Sequence, residues 1–290
     1  MDFGRLITAM VTPFSADGSI DWETTGRLLD YLIEDQLNDG IVVCGTTGES
    51  PTVSDEEKRA LFAFAVKHAG GRCKIIAGTG SNDTAHSIHL TRIAEQCGVD
   101  AVLLVTPYYN KPTQEGLYQH FKAIAESTSL PVMLYNVPGR TIVSLSAATT
   151  LRLAQLPNVV ATKECAALDQ VAEIAMGAPE GFLVYSGDDS SALPALAVGA
   201  HGIVSVASHI IGKPMKAMIQ AYLDGDTNRA AKLHGEHLPI FKGLFDLPNP
   251  VLVKAALSLQ GLPVGGVRLP LVAASESEIE TLRHVLKQER

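Results

Sequence analysis

The sequence lacks the features that direct a chain into a membrane or onto nucleic acid. No apolar run approaches the ~20 residues that a membrane-spanning helix needs. The first residues, Met1–Arg5, contain no basic region followed by a long apolar stretch, so they do not resemble a signal peptide. The chain has 31 acidic and 23 basic residues, a net charge of −8, and no basic stripe that could follow a phosphate backbone. We therefore expect no membrane or nucleic-acid partner and a cytoplasmic location.

Cysteine is scarce, and its spacing excludes the common redox and zinc motifs. The four cysteines are far apart, and no two of them form a CxxC pair: Cys44, Cys73, Cys97 and Cys165. Three of them fall in or beside predicted strands, and the fourth, Cys97, falls near the end of a predicted helix. We expect buried free thiols in a reducing compartment.

Motifs for metals and dinucleotides are also missing. No GxGxxG segment follows the first predicted strand, which weakens an interpretation as a dinucleotide-binding fold. Two histidine pairs have the i, i+3 spacing of a metal site, but both fall within predicted helices, where a solvated helix face explains them better: His86/His89 and His234/His237. We therefore predict no metal site.

What the sequence does contain is a regular alternation of short apolar runs and helix-like segments. The apolar, β-branched runs predict eight strands that are covered on both faces: Ile7–Val11, Gly40–Cys44, Lys74–Gly78, Ala101–Val105, Val132–Tyr135, Val159–Lys163, Leu183–Ser186 and Gly202–Val206. Strands that alternate with helices form parallel sheets through right-handed crossovers. Eight such units in 290 residues predict a closed (βα)8 barrel of the α/β class, with an open doubly wound sheet as the alternative.

Beyond the eighth strand the alternation stops and the chain becomes helical. Four helices are predicted there, more than the one that closes a barrel: Pro214–Leu223, Thr227–Leu244, Val251–Leu259 and Ser277–Lys287. We therefore divide the chain into a barrel core, residues 1–212, and C-terminal helices, residues 213–290, which close the barrel and extend it.

One lysine stands out because it ends an apolar strand. Lys163 follows the run Val159–Thr162, and the active sites of (βα)8 barrels lie at the C-terminal ends of the strands. A lysine amine that faces the barrel interior is desolvated, which lowers its pKa and makes it a nucleophile for carbonyl groups. Position alone is equally compatible with a side chain whose tip extends to solvent at the rim.

Three further features of the rim could serve such an amine. Tyr135 ends the neighbouring strand and could transfer protons, although a packed aromatic residue is the common alternative. The turn Gly45–Gly48 offers backbone N–H groups and threonine hydroxyls to a carboxylate, although glycine pairs also mark ordinary turns. Arg140 follows a Pro-Gly turn and could bind a second carboxylate, unless it is only a solvated surface arginine.

The rim motifs together have an order and spacing that are specific to one family. From Phe3 to Leu271 the chain resembles 4-hydroxy-tetrahydrodipicolinate synthases, which belong with N-acetylneuraminate lyase among the pyruvate-dependent class I aldolases. The motifs that carry the resemblance are GTTGES at 45–50, PYYNKP at 107–112, YNVPGRT at 135–141, TKE at 162–164, SGDD at 186–189 and GIVSVASH at 202–209. The resemblance implies a lyase that condenses pyruvate with L-aspartate 4-semialdehyde in lysine and diaminopimelate biosynthesis, without a metal or an organic cofactor.

The resemblance also implies catalytic roles for individual residues. Lys163 would form the Schiff base with pyruvate, and Tyr135 would donate and accept protons. Thr46 and Tyr109 would complete the proton relay. In the family the second tyrosine crosses from a neighbouring subunit, which implies a tight dimer within a homotetramer.

Substrate-binding positions are implied in the same way. Thr47 and Val204 match positions that bind pyruvate, and Gly187 lies in the matching SGDD motif. Arg140 matches the residue that holds the carboxylate of the semialdehyde.

Two other functions remain open on the sequence. A related pyruvate aldolase, of the N-acetylneuraminate lyase or keto-deoxy sugar acid aldolase type, would share the barrel and the lysine. However, Arg140 favours a carboxylated aldehyde over a polyhydroxylated sugar. The second alternative is a barrel retained as a binding or regulatory protein without turnover. The intact set of Lys163, Tyr135, Tyr109 and Thr46 disfavours it.

The family also implies an effector site for lysine. Ser50, Asn82 and Tyr108 match positions that bind lysine in the responsive members. Three other positions depart from the family pattern, two where histidines are usual and one where a glutamate holds the amino group of the effector: Asp55, Lys58 and His86.

We predict weak or absent inhibition by lysine. His86 in place of a glutamate removes the charge complement of an ammonium group, and Lys58 adds repulsion between like charges. Reaction rates measured at neutral pH over a series of lysine concentrations test this prediction. A sub-millimolar inhibition constant would contradict it.

Overall fold

All eight predicted strands are present, and each pairs in parallel with the next along the chain until the eighth pairs with the first. Their bounds in the computed structural model, which describes residues 2–287, are β1 Leu6–Ala9, β2 Gly40–Val43, β3 Lys74–Gly78, β4 Ala101–Val105, β5 Val132–Asn136, β6 Val159–Glu164, β7 Leu183–Ser186 and β8 Gly202–Ser205. The predicted (βα)8 barrel is therefore confirmed, and the alternative prediction of an open doubly wound sheet is wrong.

Some strand ends differ from the prediction by one or two residues, and the difference matters at two strands. β5 and β6 each extend one residue farther than predicted, to Asn136 and Glu164. In the ladder between them Tyr135 pairs with Lys163. Both residues are therefore held by backbone hydrogen bonds within the sheet, and neither lies on a loop.

The barrel interior is filled by alternate residues of the strands, while the others pack beneath the helices. Aliphatic side chains and two tyrosines make up most of the interior cluster: Ile7, Val42, Ile76, Leu103, Met133, Tyr135, Tyr185 and Val204. A larger cluster joins the outer faces of the strands to the helices. Because the interior is largely apolar, a charged group placed among these side chains is poorly solvated.

Helices cover the outside of the barrel. Their bounds are α1 Trp22–Asp30, α2 Asp55–Ala69, α3 Thr84–Cys97, α4 Gln114–Ala125, α5 Pro138–Thr141, α6 Ala147–Leu153, α7 Leu168–Gly177, α8 Ala192–Ala197, α9 Ser208–Leu223, α10 Thr227–Gly243, α11 Val251–Leu259 and α12 Glu276–Lys287. Ser54 forms a capping box with Glu57 before α2, and Gly98, at φ +78°, ends α3. Within residues 2–287, none of the helices has the length and apolar character needed to cross a membrane.

The predicted C-terminal helices form, and one of them starts early. α9 begins at Ser208 instead of Pro214 and is kinked at Ile211, whose φ of −130° and ψ of 39° are not helical. Pro214 lies in the first turn after the kink, where its missing N–H costs no helical hydrogen bond. The division of the chain after residue 212 stays a prediction, and it falls within this helix.

A buried ion pair fastens the C-terminal segment to the turn that follows β2. The Nζ of Lys254, on α11, lies 2.7 Å from the Oε1 of Glu49, and the two side chains are only 3% and 2% exposed. Lys254 also donates to the carbonyl oxygen of Gly266, and the backbone N–H of Arg268 donates to the second carboxylate oxygen of Glu49. The rim of the barrel at this turn therefore depends on contacts from the end of the chain.

Lys254→Met is expected to destabilise the protein by about 3–5 kcal/mol, because it leaves the Glu49 carboxylate buried without its cation. Lys232→Met is the control, since Lys232 pairs with Glu236 on an exposed helix face, where the expected loss is below about 1 kcal/mol. Denaturant unfolding of both variants measures the difference. Equal losses of stability in the two variants would contradict the importance of the buried pair.

Candidate active site

Lys163 lies on β6 with its side chain inside the barrel. The residue is 5% exposed, and its Nζ lies 4.4 Å from the centre of the Tyr135 ring. Burial lowers the pKa of Lys163, although Cys165 and Asp189 act in the opposite direction. A lowered pKa increases the fraction of neutral amine at a given pH, and the neutral amine is the nucleophile. The lysine therefore does not extend its tip to solvent, which was the alternative left open by the sequence.

Tyr135 is the aromatic neighbour of this amine. The residue is 5% exposed, and it pairs with Lys163 across the β5–β6 ladder. Burial raises the pKa of the Tyr135 phenol well above its usual value, while a hydrogen bond with Thr46 acts in the opposite direction. The phenol therefore stays protonated at neutral pH and can donate to an oxygen atom beside Lys163.

A cavity of about 410 Å³ opens at this end of the barrel. Its walls include three of the predicted catalytic and substrate-binding residues, Thr46, Tyr135 and Arg140. Lys163 is not itself a lining residue and reaches this space through its neighbour Tyr135. The apolar part of its lining includes Leu103 and Val105. Arg140, on the short helix α5, is exposed, and its guanidinium is thus available to a carboxylate that enters from solvent.

The other predicted substrate-binding residues are placed by the strands and their turns. Val204, on β8, is fully buried in the same interior cluster as Tyr135. Thr47, in the turn after β2, is 2% exposed. Gly187 follows β7 directly, and a Cβ built on it would lie 2.8 Å from the Cε of Lys163 and 2.3 Å from the Sγ of Cys165. The lysine side chain therefore packs against a backbone position that has no room for a side chain.

Tyr109 differs from Lys163 and Tyr135 because it is exposed in the single chain. Its side chain is 89% exposed, and it is not among the residues that line the cavity. Its φ of 72° lies in the left-handed region, which bulky residues adopt rarely. Strained backbone of this kind persists where the surrounding structure or the function requires it.

Three of the four predicted effector positions share the cavity with Thr46 and Tyr135. Ser50, His86 and Tyr108 line it together with the residues described above. The Nε2 of His86 lies 3.0 Å from a carboxylate oxygen of Asp55. The Nδ2 of Asn82 donates to the backbone oxygen of Tyr108 at 3.2 Å and ties together the loops after β3 and β4.

Asp189 influences the electrostatics of the site, although the sequence did not indicate a role for it. It is 1% exposed and accepts hydrogen bonds from the Ser205 hydroxyl at 2.5 Å and from the backbone N–H groups of Val206 and Ala207. Burial raises the pKa of Asp189 to about 6, and the carboxyl in turn favours the charged form of Lys163. The sequence feature that could have indicated this residue is the pair of consecutive acids just after β7, Asp188 and Asp189.

Asn249 and Lys254 also support the site, although both lie far from it in the sequence. Asn249 stands between two prolines, and Lys254 is the only charged residue of the largely apolar helix Val251–Leu259. Both patterns mark a polar side chain with a specific buried partner, but neither reveals which partner it has. The partners are Thr47 and Glu49, in the turn after β2.

The arrangement has the parts that a carbonyl condensation needs. An amine that is shifted toward its neutral form lies beside a protonated phenol, and both belong to a water-restricting barrel interior with a cavity above it. The fold and the site define a (βα)8-barrel lyase of the class I aldolase type.

Comparison with known proteins gives the particular family. The chain belongs to the dihydrodipicolinate synthetase family, whose model matches residues 2–289. It is 58% identical over 287 residues to the 4-hydroxy-tetrahydrodipicolinate synthase of Symbiobacterium thermophilum, covering 99% of this chain and 98% of that protein. The Bacillus subtilis protein of the same name is 57% identical over 290 residues, with 99% and 100% covered. The crystal structure of a dihydrodipicolinate synthase from Bacillus anthracis matches with a TM-score of 0.97 at 54% identity, covering 99% of this chain and 98% of that one.

These matches confirm the predicted family and activity. The chain is a lyase of lysine and diaminopimelate biosynthesis. The roles of individual residues stay predictions, because the matches cover whole chains and do not test any one position.

Gly187→Ala is expected to lower turnover at least about tenfold, because the added Cβ meets Cys165 and displaces the Lys163 side chain. Gly235→Ala is the matched control, since a Cβ at Gly235 has nothing within 4 Å. Steady-state rates of the two variants, corrected for folded fraction, measure the effect. Turnover of Gly187→Ala at the wild-type level would show that the lysine tolerates displacement and would contradict this reading of the site.

Proposed function

We propose that Lys163 forms a Schiff base with pyruvate and that the resulting enamine condenses with L-aspartate 4-semialdehyde. The observation that carries this proposal is the buried amine near the C-terminal end of β6, 4.4 Å from the ring of Tyr135, which lines the cavity together with Arg140. Its lowered pKa supplies neutral amine, which attacks the C2 carbonyl carbon of pyruvate and forms a carbinolamine.

Proton transfer by Tyr135 carries the reaction forward. The carbinolamine hydroxyl accepts a proton and leaves as water, which gives the iminium. The iminium withdraws electrons from the neighbouring methyl group, which loses a proton and becomes the nucleophilic carbon of an enamine. That carbon attacks the aldehyde carbon of the semialdehyde, and the new alkoxide takes up a proton. The amino group of the semialdehyde then attacks the iminium carbon, closes the ring and releases Lys163 as a free amine.

Two carboxylate sites account for the choice of substrates. The turn that contains Thr46 and Thr47 offers hydroxyls and backbone N–H groups to the carboxylate of pyruvate. Arg140, exposed at the cavity, suits the carboxylate of the semialdehyde. A cationic group at this position supports the carboxylated aldehyde over the polyhydroxylated sugars of the sibling aldolases.

We also propose that Tyr109 works in the site of a neighbouring subunit, within a dimer that forms part of a homotetramer. Its 89% exposure in the single chain supports this role, because the side chain is free to enter another molecule. Tyr108, which follows β4, is 37% exposed and Ile142, which follows β5, is 73% exposed, so further large side chains are exposed at the same end of the barrel. A symmetric pairing of two rims would place each Tyr109 at its partner's cavity.

The geometry of the effector positions supports weak regulation by lysine. His86 already pairs with Asp55. The Asp55 carboxylate, which could otherwise bind an ammonium group, is therefore occupied. Lys58 lines the cavity, is 6% exposed and has no acidic partner within residues 2–287. A cationic effector would meet this uncompensated charge.

We place the reaction in the cytoplasm and assign it no metal or organic cofactor. The cysteines of the chain are free thiols, as is typical of proteins in reducing compartments. The steps above use only an amine, a phenol, hydroxyl groups and a guanidinium, which are all side chains of this protein.

Lys163→Ala is expected to lose several orders of magnitude in pyruvate consumption with L-aspartate 4-semialdehyde, because no other group forms the imine. Lys67→Ala, at an exposed position on α2, is the control. Borohydride reduction in the presence of pyruvate, followed by peptide mass spectrometry, should locate the adduct on Lys163 alone. An adduct at another residue, or an active Lys163→Ala variant, would contradict the assignment.

A mixture of two inactive variants tests the shared site. Lys163→Ala lacks the amine and Tyr109→Phe lacks the phenol, so a mixed dimer contains one site in which both groups are intact. Unfolding and refolding the two together should restore about one quarter of the wild-type activity. Each variant refolded alone is the control. No recovery in mixtures that do contain mixed dimers would show that Tyr109 does not act across subunits.

A further inference from the structure

A hydrogen bond from the C-terminal segment reaches a threonine of the turn after β2. The Nδ2 of Asn249 donates to the Oγ1 of Thr47 at 2.9 Å, across 202 residues of sequence. Both side chains are buried, with Asn249 7% exposed and Thr47 2% exposed. A bond between two buried polar groups that lie so far apart in the chain has a defined geometry and little freedom to exchange with water.

The direction of this bond determines what the threonine hydroxyl can do. An amide N–H only donates, so the Thr47 oxygen accepts and its own proton stays available for another partner. Within residues 2–287 no acceptor takes that proton. The Oδ1 of Asn249 is also buried and has no partner in this part of the chain. The pair therefore presents an unused donor inside the turn.

We propose that Asn249 is a positioning residue that holds the Thr47 hydroxyl as a donor to the carboxylate of pyruvate. This inference rests on the proposed role of the Thr46–Thr47 turn in binding that carboxylate. A carboxylate is acceptor-only, so it binds a hydroxyl whose proton points outward and not one whose proton is already used. Asn249 is the residue that selects the first state. Neither Asn249 nor Thr47 lines the cavity, which the turn reaches through the adjacent Thr46.

The C-terminal segment also fixes the backbone of the turn after β2. Cys44 and Glu49, on either side of Gly45–Gly48, both have a φ of 56°, in the left-handed region that side chains other than glycine adopt at a cost. The buried pair with Lys254 fixes Glu49 at one end of the turn. With Asn249 bound to Thr47, the C-terminal segment thus sets both the backbone of the turn and the orientation of one of its hydroxyls.

Two substitutions of Asn249, by residues of nearly its own size, distinguish a positioning role from a purely structural one. Asn249→Asp replaces the donor by a carboxylate, which takes the Thr47 proton and turns the hydroxyl away from the substrate. Asn249→Leu removes the donor but leaves the proton free. We expect Asn249→Asp to raise the KM for pyruvate at least about tenfold, with a smaller change in kcat, and Asn249→Leu to raise it by about threefold or less. Thermal unfolding of both variants measures their stability.

The experiment is repeated in a Thr47→Val variant, which lacks the hydroxyl. In its background Asn249→Asp should have little further effect on the KM for pyruvate, because the hydroxyl that it acts through is gone. An undiminished effect in that background would mean that the new charge repels the substrate directly, and this would overturn the inference. Equal KM values for Asn249→Asp and Asn249→Leu, both following their loss of stability, would show a purely structural role and would also overturn it.

Failure of the inference and failure of the proposed carboxylate site give different results. If Thr47→Val alone leaves the KM for pyruvate unchanged, the turn does not bind the carboxylate through this hydroxyl, and the proposed site is wrong. If Thr47→Val raises the KM for pyruvate and Asn249→Asp does not, the carboxylate site stands and only the role of Asn249 is wrong.

Discussion

The burial of one amine inside an apolar barrel is the constraint on which the rest of the structure depends. Closing eight strands into a barrel places Lys163 among side chains that solvate a charge poorly, and desolvation is the largest influence on its pKa. Asp189 and Cys165 moderate this effect but do not reverse it. The fold therefore shifts the Lys163 amine toward its neutral form, which is the form that our proposal requires of a nucleophile.

The groups around the amine are placed by two different kinds of structure. Lys163 and Tyr135 are neighbours in a sheet ladder, where backbone hydrogen bonds leave little freedom. The turn after β2, to which we assign the carboxylate of pyruvate, has no such ladder and contains residues in costly conformations. It is held from outside by the C-terminal segment, through the ion pair of Lys254 on α11 with Glu49 and the hydrogen bond of Asn249, just before α11, with Thr47. The helices beyond the barrel thus contribute to the site without lining it.

The strands and the central pair of residues could be predicted because their signals are local. Apolar runs of four to six residues define strands, and a lysine or tyrosine at the end of such a run is placed at the rim by topology alone. Local pattern does not reveal that Asn249 binds a threonine 202 residues away, since any buried polar partner would satisfy it equally. Nor does it show that Tyr109 is exposed on its own chain, which depends on the path of the loop after β4.

The most direct test of the central claim is the pH at which the Lys163 amine becomes reactive. Competitive labelling with a small acetylating reagent, read out by peptide mass spectrometry and normalised to each lysine's own plateau, gives that pH for Lys163 and for the exposed Lys67 in one experiment. Lys163 should reach half of its plateau at a pH clearly below the ordinary lysine value of about 10.4, because burial disfavours its charged form. Coincident profiles for the two lysines would contradict the claim that the barrel interior activates the amine.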